Sequence, residues 1–233
     1  MILKEMVILL INVFKTCIIK SVIFMRLRNV RGAHDVIGAS SYVIDNYMDY
    51  KGNFKSLFGN NNPIHIEIGM GKGDFIIGMA LKYPQINFVG IEKFDSVMVR
   101  AVQKLEGLSI PNLRLIRMDA LGIADVFDRE VECIYLNFSD PWPKERHAKR
   151  RLTSDVFLSL YDSVFCDKCN IVMKTDNRKL FEYSIISLTD YGYSIDELSL
   201  DLYGDDVSDN VQTEYEKKFV SNGNVIYMIS VHK

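Results

Sequence analysis

From about residue 62 onward, short apolar segments alternate with amphipathic stretches of helical length, and this alternation constrains the fold more than any other feature. Predicted strands cover residues 64–68, 87–92, 113–118, 133–138 and 170–174, with a late pair near 193–200 and 225–231. Predicted helices cover residues 75–82, 96–106, 154–165 and 178–189, and Thr153 or Ser154 could cap the third of them. Because strands that alternate with helices form parallel sheets, we expect an α/β fold.

The N-terminal part of the chain does not follow this alternation. Residues 1–24 are apolar, but four charged residues interrupt them, so no run approaches the roughly 20 residues that a membrane span needs. No small-residue cleavage site of a secretory signal follows, and we expect a cytoplasmic protein. We interpret residues 1–24 as an extension of unknown role upstream of a possible start at Met25. Residues 25–61 are expected to form an N-terminal arm, and residues 62–233 the main domain.

Charge and cysteine content limit the classes of function. The formal net charge of −2 excludes a chain that binds nucleic acid through a uniformly basic surface. Residues 144–151 carry a local excess of positive charge, which is compatible with a local nucleic-acid patch. Cys166 and Cys169 form a single CxxC motif, whereas zinc usually needs four ligands. We therefore expect two reduced thiols there and no metal.

The first predicted strand runs into a glycine-rich segment, EIGMGKGD, at residues 67–74. Gly69, Gly71 and Gly73 allow a sharp turn and a close approach of the backbone to a ligand. A strand followed by such a loop and a helix places a ligand at the carboxyl edge of the sheet. The GxGxG spacing and the acid Glu67 favour S-adenosylmethionine over NAD, because a carboxylate attracts a cationic amino group and repels a pyrophosphate.

Two further acids close the next two predicted strands. Glu92 could accept hydrogen bonds from both hydroxyls of a ribose, and Asp119 could accept one from an adenine amine. Either acid alone is equally compatible with a solvated charge at a strand end. Three acids at the ends of three successive strands, beside a glycine loop, indicate a nucleoside-containing cofactor.

After the fourth predicted strand comes the segment NFSDPWPK, at residues 137–144. Two prolines make this loop stiff, and Trp142 between them could stack on a base or simply pack. The loop resembles the (D/N/S)PP(Y/F/W) loop of amino-methylating enzymes, except that Trp142 replaces the second proline. Methylation of guanine N7 needs no general base, because this nitrogen carries no proton. The positive charge that develops on the ring would be stabilised by a nearby carboxylate, for which Asp140 is the candidate.

The remaining candidates are substrate contacts. The basic run directly after this loop could be a solvated surface, but its position favours contact with phosphate groups. Asp176, after the fifth strand, and Glu216, before the last, could accept from the N1 and N2 hydrogens of guanine, although spacing alone does not assign them.

The motifs together resemble the bacterial tRNA (guanine-N7)-methyltransferases, and the resemblance covers nearly all of the chain from Met25. The matching segments are EIGxGKG at 67–73, GIE at 90–92, NFSDPWPKxRHxKRR at 137–151, KTDN at 174–177 and TxYExKF at 213–219. The resemblance implies a Rossmann-like class I methyltransferase domain with a mostly parallel seven-stranded sheet and helices on both faces. It implies transfer of a methyl group from S-adenosylmethionine to N7 of the variable-loop guanosine (position 46) of tRNA.

The resemblance also implies roles for individual residues. The cofactor pocket would contain Glu67, Gly69, Gly71, Gly73, Glu92, Asp119 and Asp140, with Asp140 also acting on the reacting base. The substrate would contact Lys144, Asp176, Thr213, Glu214, Tyr215 and Glu216. The tRNA backbone would meet Arg146, His147, Lys149, Arg150 and Arg151.

Three other functions stay open at this point: a class I methyltransferase that modifies an exocyclic amine of RNA or DNA, an NAD-dependent oxidoreductase, and a non-catalytic RNA-binding relative. A monomer and a homodimer are equally compatible with the sequence.

Overall fold

The computed structural model of the chain describes residues 32–205 and 210–233, so the expectations for residues 1–24 and for the start of the arm lie outside the described residues. The strands are β1 (Ile64–Ile68), β2 (Asn87–Glu92), β3 (Leu113–Arg117), β4 (Val131–Asn137), β5 (Phe165–Thr175), β6 (Ser194–Ser199) and β7 (Tyr227–His232). The α-helices are α1 (Ala33–Gly38), α2 (Asp74–Lys82), α3 (Asp95–Leu105), α4 (Ile123–Val126), α5 (Asp155–Val164), α6 (Arg178–Asp190) and α7 (Glu214–Ser221).

The strands form one sheet in the order β3-β2-β1-β4-β5-β7-β6. The first five strands run parallel, and β7 is antiparallel to both of its neighbours. Strand order reverses between β1 and β4, and right-handed crossovers then place the connecting helices on both faces of the sheet. The reversal opens a crevice at the carboxyl ends of β1 and β4, which is where open α/β sheets bind ligands. The predicted seven-stranded, mostly parallel α/β fold is confirmed.

The central strands are apolar because both faces of the sheet are covered. Every residue of β2 is buried, and in β1 only His65 is partly exposed. Ile64, Ile66, Val89 and Ile91 belong to the main hydrophobic core. Continuous apolar runs of this kind are typical of parallel strands covered by helices.

Predicted and observed elements differ most where burial is incomplete. The bounds of β1 and β2 agree with the prediction. In contrast, β5 begins at Phe165, directly after α5, because Phe165 already pairs with Val131; an irregularity that includes the exposed Asp167 and Lys168 follows it. The structure adds three unpredicted helices, α1, α4 and α7. Ser154 occupies the N-cap position of α5, but its hydroxyl donates to the Lys149 carbonyl instead of capping the helix.

Residues 32–61, the described part of the expected arm, contribute to the same core. The Phe54 side chain is fully buried in it, and Val43 forms a parallel β-bridge with Leu115. The carboxylate of Glu130 accepts the N–H groups of Gly52 and Phe54 at 2.9 and 2.8 Å. The bridge attaches the described arm residues to β3, and the Glu130 contacts attach them to the start of β4.

Neither a membrane-spanning helix nor a metal-binding cluster is found among the described residues. No helix in residues 32–205 or 210–233 is long and apolar enough to span a membrane. Within the same ranges, no group of three His, Cys, Asp or Glu side chains is placed to hold a metal ion.

Candidate active site

The glycine loop between β1 and α2 has the open backbone that a bound ligand needs. Gly69, Gly71 and Gly73 all have positive φ, at 75°, 59° and 78°, which L side chains rarely adopt. A Cβ at Gly73 would lie 2.8 Å from the Cβ of Ala101, so this glycine also permits α2 to approach α3. A Cβ at Gly69 or Gly71 would meet no atom within 4 Å among the described residues. The backbone at Gly69 and Gly71 therefore borders open space that a ligand could occupy.

Glu67 is a buried carboxyl group at the end of β1, and it spans the crevice between β1 and β4. Asn137, at the end of β4, donates a hydrogen bond of 2.9 Å to its Oε1, whereas no described residue donates to its Oε2. Burial raises the pKa of Glu67 to about 8, although the bond from Asn137, the charge of Lys174 and the backbone N–H of Ile76 in α2 act in the opposite direction. A buried oxygen without a donor is costly, so Glu67 is suited to a cationic or hydrogen-bonding ligand.

Glu92, at the end of β2, is held by backbone N–H groups. Its Oε2 accepts from Gly71 at 3.1 Å, and its Oε1 accepts from Lys93 and Phe94 at 2.8 and 2.9 Å. The glycine loop is thereby fixed to the end of β2. The structure places the carboxylate beside the loop, and its predicted contact with a ribose stays a prediction.

Asp119 follows β3 and is partly exposed. The Lys93 ammonium donates to its Oδ2 at 2.5 Å, and the Leu121 N–H donates to its Oδ1 at 3.0 Å. These two hydrogen bonds, that from Lys93 above all, lower the pKa of Asp119, so the group is a carboxylate at neutral pH. Sequence reasoning missed Lys93, although a lysine directly after the strand-end acid Glu92 was a signal for it.

Residues 138–143, here called the Asp140 loop, have a strained backbone. Phe138 and Trp142 have φ of 51° and 41°, a region that usually costs a non-glycine residue about 1–3 kcal/mol. The Phe138 N–H donates to the Lys174 carbonyl at 2.8 Å, which continues the pairing of β4 with β5. Asp140 lies between the two strained residues with an exposed side chain. The loop therefore presents this carboxylate in a defined position beyond the end of β4.

The basic run after the loop divides into exposed and buried residues. Lys144, Arg146, Lys149 and Arg150 are exposed, and His147 is partly exposed with its ring 5.9 Å from that of Trp142. The Arg150 guanidinium lies 4.7 Å from the centre of the Trp142 ring. Arg151 is only 8% exposed and donates to main-chain carbonyls. Its burial counts against the predicted contact with phosphate.

The segment before α7 lies beside the Asp140 loop. The Tyr215 ring is stacked on Phe219 at 4.1 Å and lies 5.1 Å from the Phe138 ring. The Tyr215 hydroxyl is 3.5 Å from Asp176 Oδ2, and partial burial raises the pKa of Asp176. Tyr215 and Asp176 therefore lie next to the loop, as the predicted substrate contact requires.

Thr213 and Glu216 form the capping box of α7. Thr213 Oγ1 accepts from the Glu216 N–H at 2.9 Å, and Glu216 Oε2 accepts from the Thr213 N–H at 3.1 Å. Glu214, in the first turn, pairs instead with Lys72 of the glycine loop, at 2.6 Å. This ion pair connects α7 to the glycine loop.

Glu216 is fully buried, and both of its oxygens are occupied. Lys174 donates to Oε2 at 2.8 Å, while Tyr203 and Asn210 donate to Oε1 at 2.8 and 2.7 Å. Desolvation lowers the pKa of Lys174, and the charge of Glu216 opposes that shift. These contacts count against the predicted role of Glu216 as an acceptor for guanine. Sequence reasoning missed Lys174, whose position at the end of a buried strand was the available signal.

Comparison with known proteins places this geometry in a family. A family model described as "Putative methyltransferase" matches residues 61–229. A protein from Lysinibacillus sphaericus named tRNA (guanine-N(7)-)-methyltransferase is 51% identical over 208 residues, which cover 88% of this chain and 96% of that protein. The protein of the same name from Bacillus subtilis is 49% identical over 209 residues, covering 89% of this chain and 98% of its own length.

A solved structure described as an antibiotic-related methyltransferase has a TM-score of 0.62 at 15% identity and covers 78% of this chain and 93% of its own. At this identity the likeness supports the fold alone. The sequence relatives confirm the resemblance read from the motifs. The chain belongs to the tRNA (guanine-N(7)-)-methyltransferase family.

Proposed function

We propose that the protein transfers a methyl group from S-adenosylmethionine to N7 of a guanine in the variable loop of tRNA. The observation that carries the proposal is the placement of three features at one sheet edge. These are an open glycine loop, the buried Glu67 with one oxygen that no described residue satisfies, and a stiff loop that presents Asp140. The names of the relatives support methylation of guanine N7 in tRNA, and the position in the variable loop is part of our proposal.

The residues at this edge fit S-adenosylmethionine, which supplies an electrophilic methyl group when bound. Glu67 would bind the ammonium group, because its unsatisfied oxygen is buried and a cation would favour its ionised form. Glu92 would accept from the ribose hydroxyls, and Asp119 from the adenine amine. Gly69 and Gly71 leave space for the ligand beside the loop backbone.

Asp140 would act on the guanine. The lone pair of guanine N7 would form the new bond to the methyl carbon while the methyl–sulfur bond breaks, with S-adenosylhomocysteine as the leaving group. No proton has to be removed, so no general base is needed. The positive charge of the sulfonium moves to the guanine ring during the transfer. A carboxylate held by a stiff loop stabilises that charge without reorganising, which is the type of interaction that favours a transition state.

The exposed basic residues would bind the tRNA backbone. Arg146, Lys149 and Arg150 carry the charge for phosphate contacts, and the partly exposed His147 lies among them. Lys144, which precedes them, would contact the substrate. Tyr215, whose ring lies 5.1 Å from that of Phe138, and Asp176, 3.5 Å from the Tyr215 hydroxyl, would contact the base. A tRNA substrate would place the enzyme in the cytoplasm.

The other functions considered are less well supported. An enzyme for exocyclic amines must remove a proton, and its loop usually carries a second proline where this chain has Trp142. An NAD-dependent oxidoreductase would place a pyrophosphate near Glu67, a carboxyl group that would repel it, and the GxGxG spacing also disfavours it. A non-catalytic relative would have no need for the strained loop around Asp140.

The test is labelled methyl transfer to unmodified tRNA, with the variable-loop guanine present or replaced by adenine. We expect label only when guanine is present, and N7-methylguanine on nucleotide mapping; N6-methyladenine would refute the proposal. Asp140→Ala should lower kcat by about a hundredfold with a smaller change in KM. Asp190→Ala, which removes an exposed acid at the end of α6, is the control. A loss confined to KM would contradict the role of Asp140 in the transition state.

A further inference from the structure

Arg151 differs from the other basic residues of its run in what its side chain contacts. Its Nε donates to the Pro141 carbonyl at 3.3 Å, and its Nη2 donates to the Trp142 carbonyl at 3.1 Å. Its guanidinium also lies 4.2 Å from the centre of the Tyr183 ring on α6. The side chain is 8% exposed, so its charge is turned into the protein and away from a nucleic-acid surface.

The backbone that carries Arg151 is fixed on both sides. The Arg151 N–H donates to the Ala148 carbonyl, and the Arg151 carbonyl accepts from the Ser154 N–H, both at 2.9 Å. Two residues on, the buried Thr153 accepts at its carbonyl from the Ser187 hydroxyl of α6 at 2.6 Å. The side chain of Arg151 therefore extends from a backbone segment that hydrogen bonds hold in place, and it reaches back to the Asp140 loop.

The Asp140 loop is consequently held at two points. At its start, the Phe138 N–H donates to the Lys174 carbonyl of β5. At its other end, Arg151 donates to the carbonyls of Pro141 and Trp142, the two peptide groups on either side of the Trp142 Cα. Asp140 lies between these points, and Trp142 has a positive φ that the surrounding contacts must maintain.

We infer that Arg151 is a positioning residue that holds the Asp140 loop through the Pro141 and Trp142 carbonyls. Unlike its exposed neighbours, it does not contact phosphate groups. The inference rests on the proposed function for its effect on turnover. The planar guanidinium satisfies two carbonyls and packs on an aromatic ring at the same time, which a lysine ammonium cannot reproduce. Charge alone therefore does not suffice at position 151.

The test compares Arg151→Lys and Arg151→Gln with Lys149→Gln, an exposed member of the same run. We expect both Arg151 variants to lower kcat about 10- to 100-fold, because a displaced loop misplaces Asp140. The dependence of tRNA affinity on salt concentration should be unchanged in them. Lys149→Gln should instead reduce the slope of log affinity against log salt by about one unit and act mainly on KM.

A second readout does not depend on catalysis. Trp142 is the single tryptophan of the chain, so emission excited at the long-wavelength edge, where tyrosine does not absorb, reports on the Asp140 loop. The emission maximum and anisotropy should change in Arg151→Lys and not in Lys149→Gln, at unchanged far-ultraviolet circular dichroism. The change in Trp142 fluorescence is expected even if the protein methylates another substrate. The positioning role of Arg151 and the proposed methyl transfer to tRNA can therefore be refuted independently. A wild-type kcat in Arg151→Lys, unaltered Trp142 emission, or a reduced salt slope in Arg151→Gln would overturn the inference.

Discussion

Two buried glutamates at the same side of the sheet have opposite environments. Glu67 receives one hydrogen bond at one oxygen, and no described residue donates to the other, whereas four donors occupy the two oxygens of Glu216. The difference separates a group suited to a ligand from a group that holds the fold together. Glu216 joins β5, α7 and the segment around Tyr203, whereas Glu67 contacts Asn137 of β4 and is influenced by the Ile76 N–H of α2. A buried acid near this edge of the sheet is thus not by itself a ligand contact.

Lys174→Met should give the largest effect, because it removes the positive charge that neutralises Glu216. Breaking a buried ion pair on one side usually costs about 3–5 kcal/mol, so the free energy of unfolding in urea should fall by that amount. Lys179→Met, on the exposed side of α6, is the control and should change this free energy by less than about 0.5 kcal/mol. A similar small change for Lys174→Met would show that the Glu216 network does not depend on the pair.

The pH dependence of stability should reveal the environment of Glu67. Its pKa of about 8 in the folded protein exceeds the ordinary value of 4.5, so the folded state retains a proton that the unfolded state releases. The stability linked to this proton is complete below about pH 4.5 and is lost as the pH rises towards about 8. Because one pKa unit corresponds to about 1.4 kcal/mol, the cofactor-free protein should lose about 2–3 kcal/mol between about pH 6 and pH 8. Glu67→Gln should remove this loss, and parallel stability curves for the two proteins would contradict the raised pKa.

Glu67→Gln should also weaken the binding of S-adenosylhomocysteine, by at least about tenfold, because a hydrogen bond to a charged group contributes about 1.5–3 kcal/mol. Calorimetric titration measures the affinity directly. Glu106→Gln, at an exposed position after α3, is the matched control. An unchanged affinity would show that Glu67 has no role in binding and that, like Glu216, it only stabilises the fold.

Prediction from the sequence succeeded where a local pattern decides the structure. The apolar runs of β1 and β2 have their predicted bounds, and parallel strands must bring Glu67, Glu92 and Asp119 to one edge. The helix α7 was missed, although the capping box of Thr213 and Glu216 was visible in the sequence. The early start of β5 was missed because it depends on the pairing of Phe165 with the distant Val131, which polar Asp167 and Lys168 separate from the apolar part of the strand.

The neighbouring residues Arg150 and Arg151 show where the sequence ceases to be informative. They are chemically identical and adjacent, yet Arg150 is exposed on the Trp142 ring and Arg151 is buried beneath the Asp140 loop. The sequence by itself determined the alternation of strands and helices, the glycine loop and the family, because these depend on residue type and spacing. Only the tertiary structure decided which acids and bases are satisfied internally, because burial and hydrogen-bond partners come from segments distant in the chain.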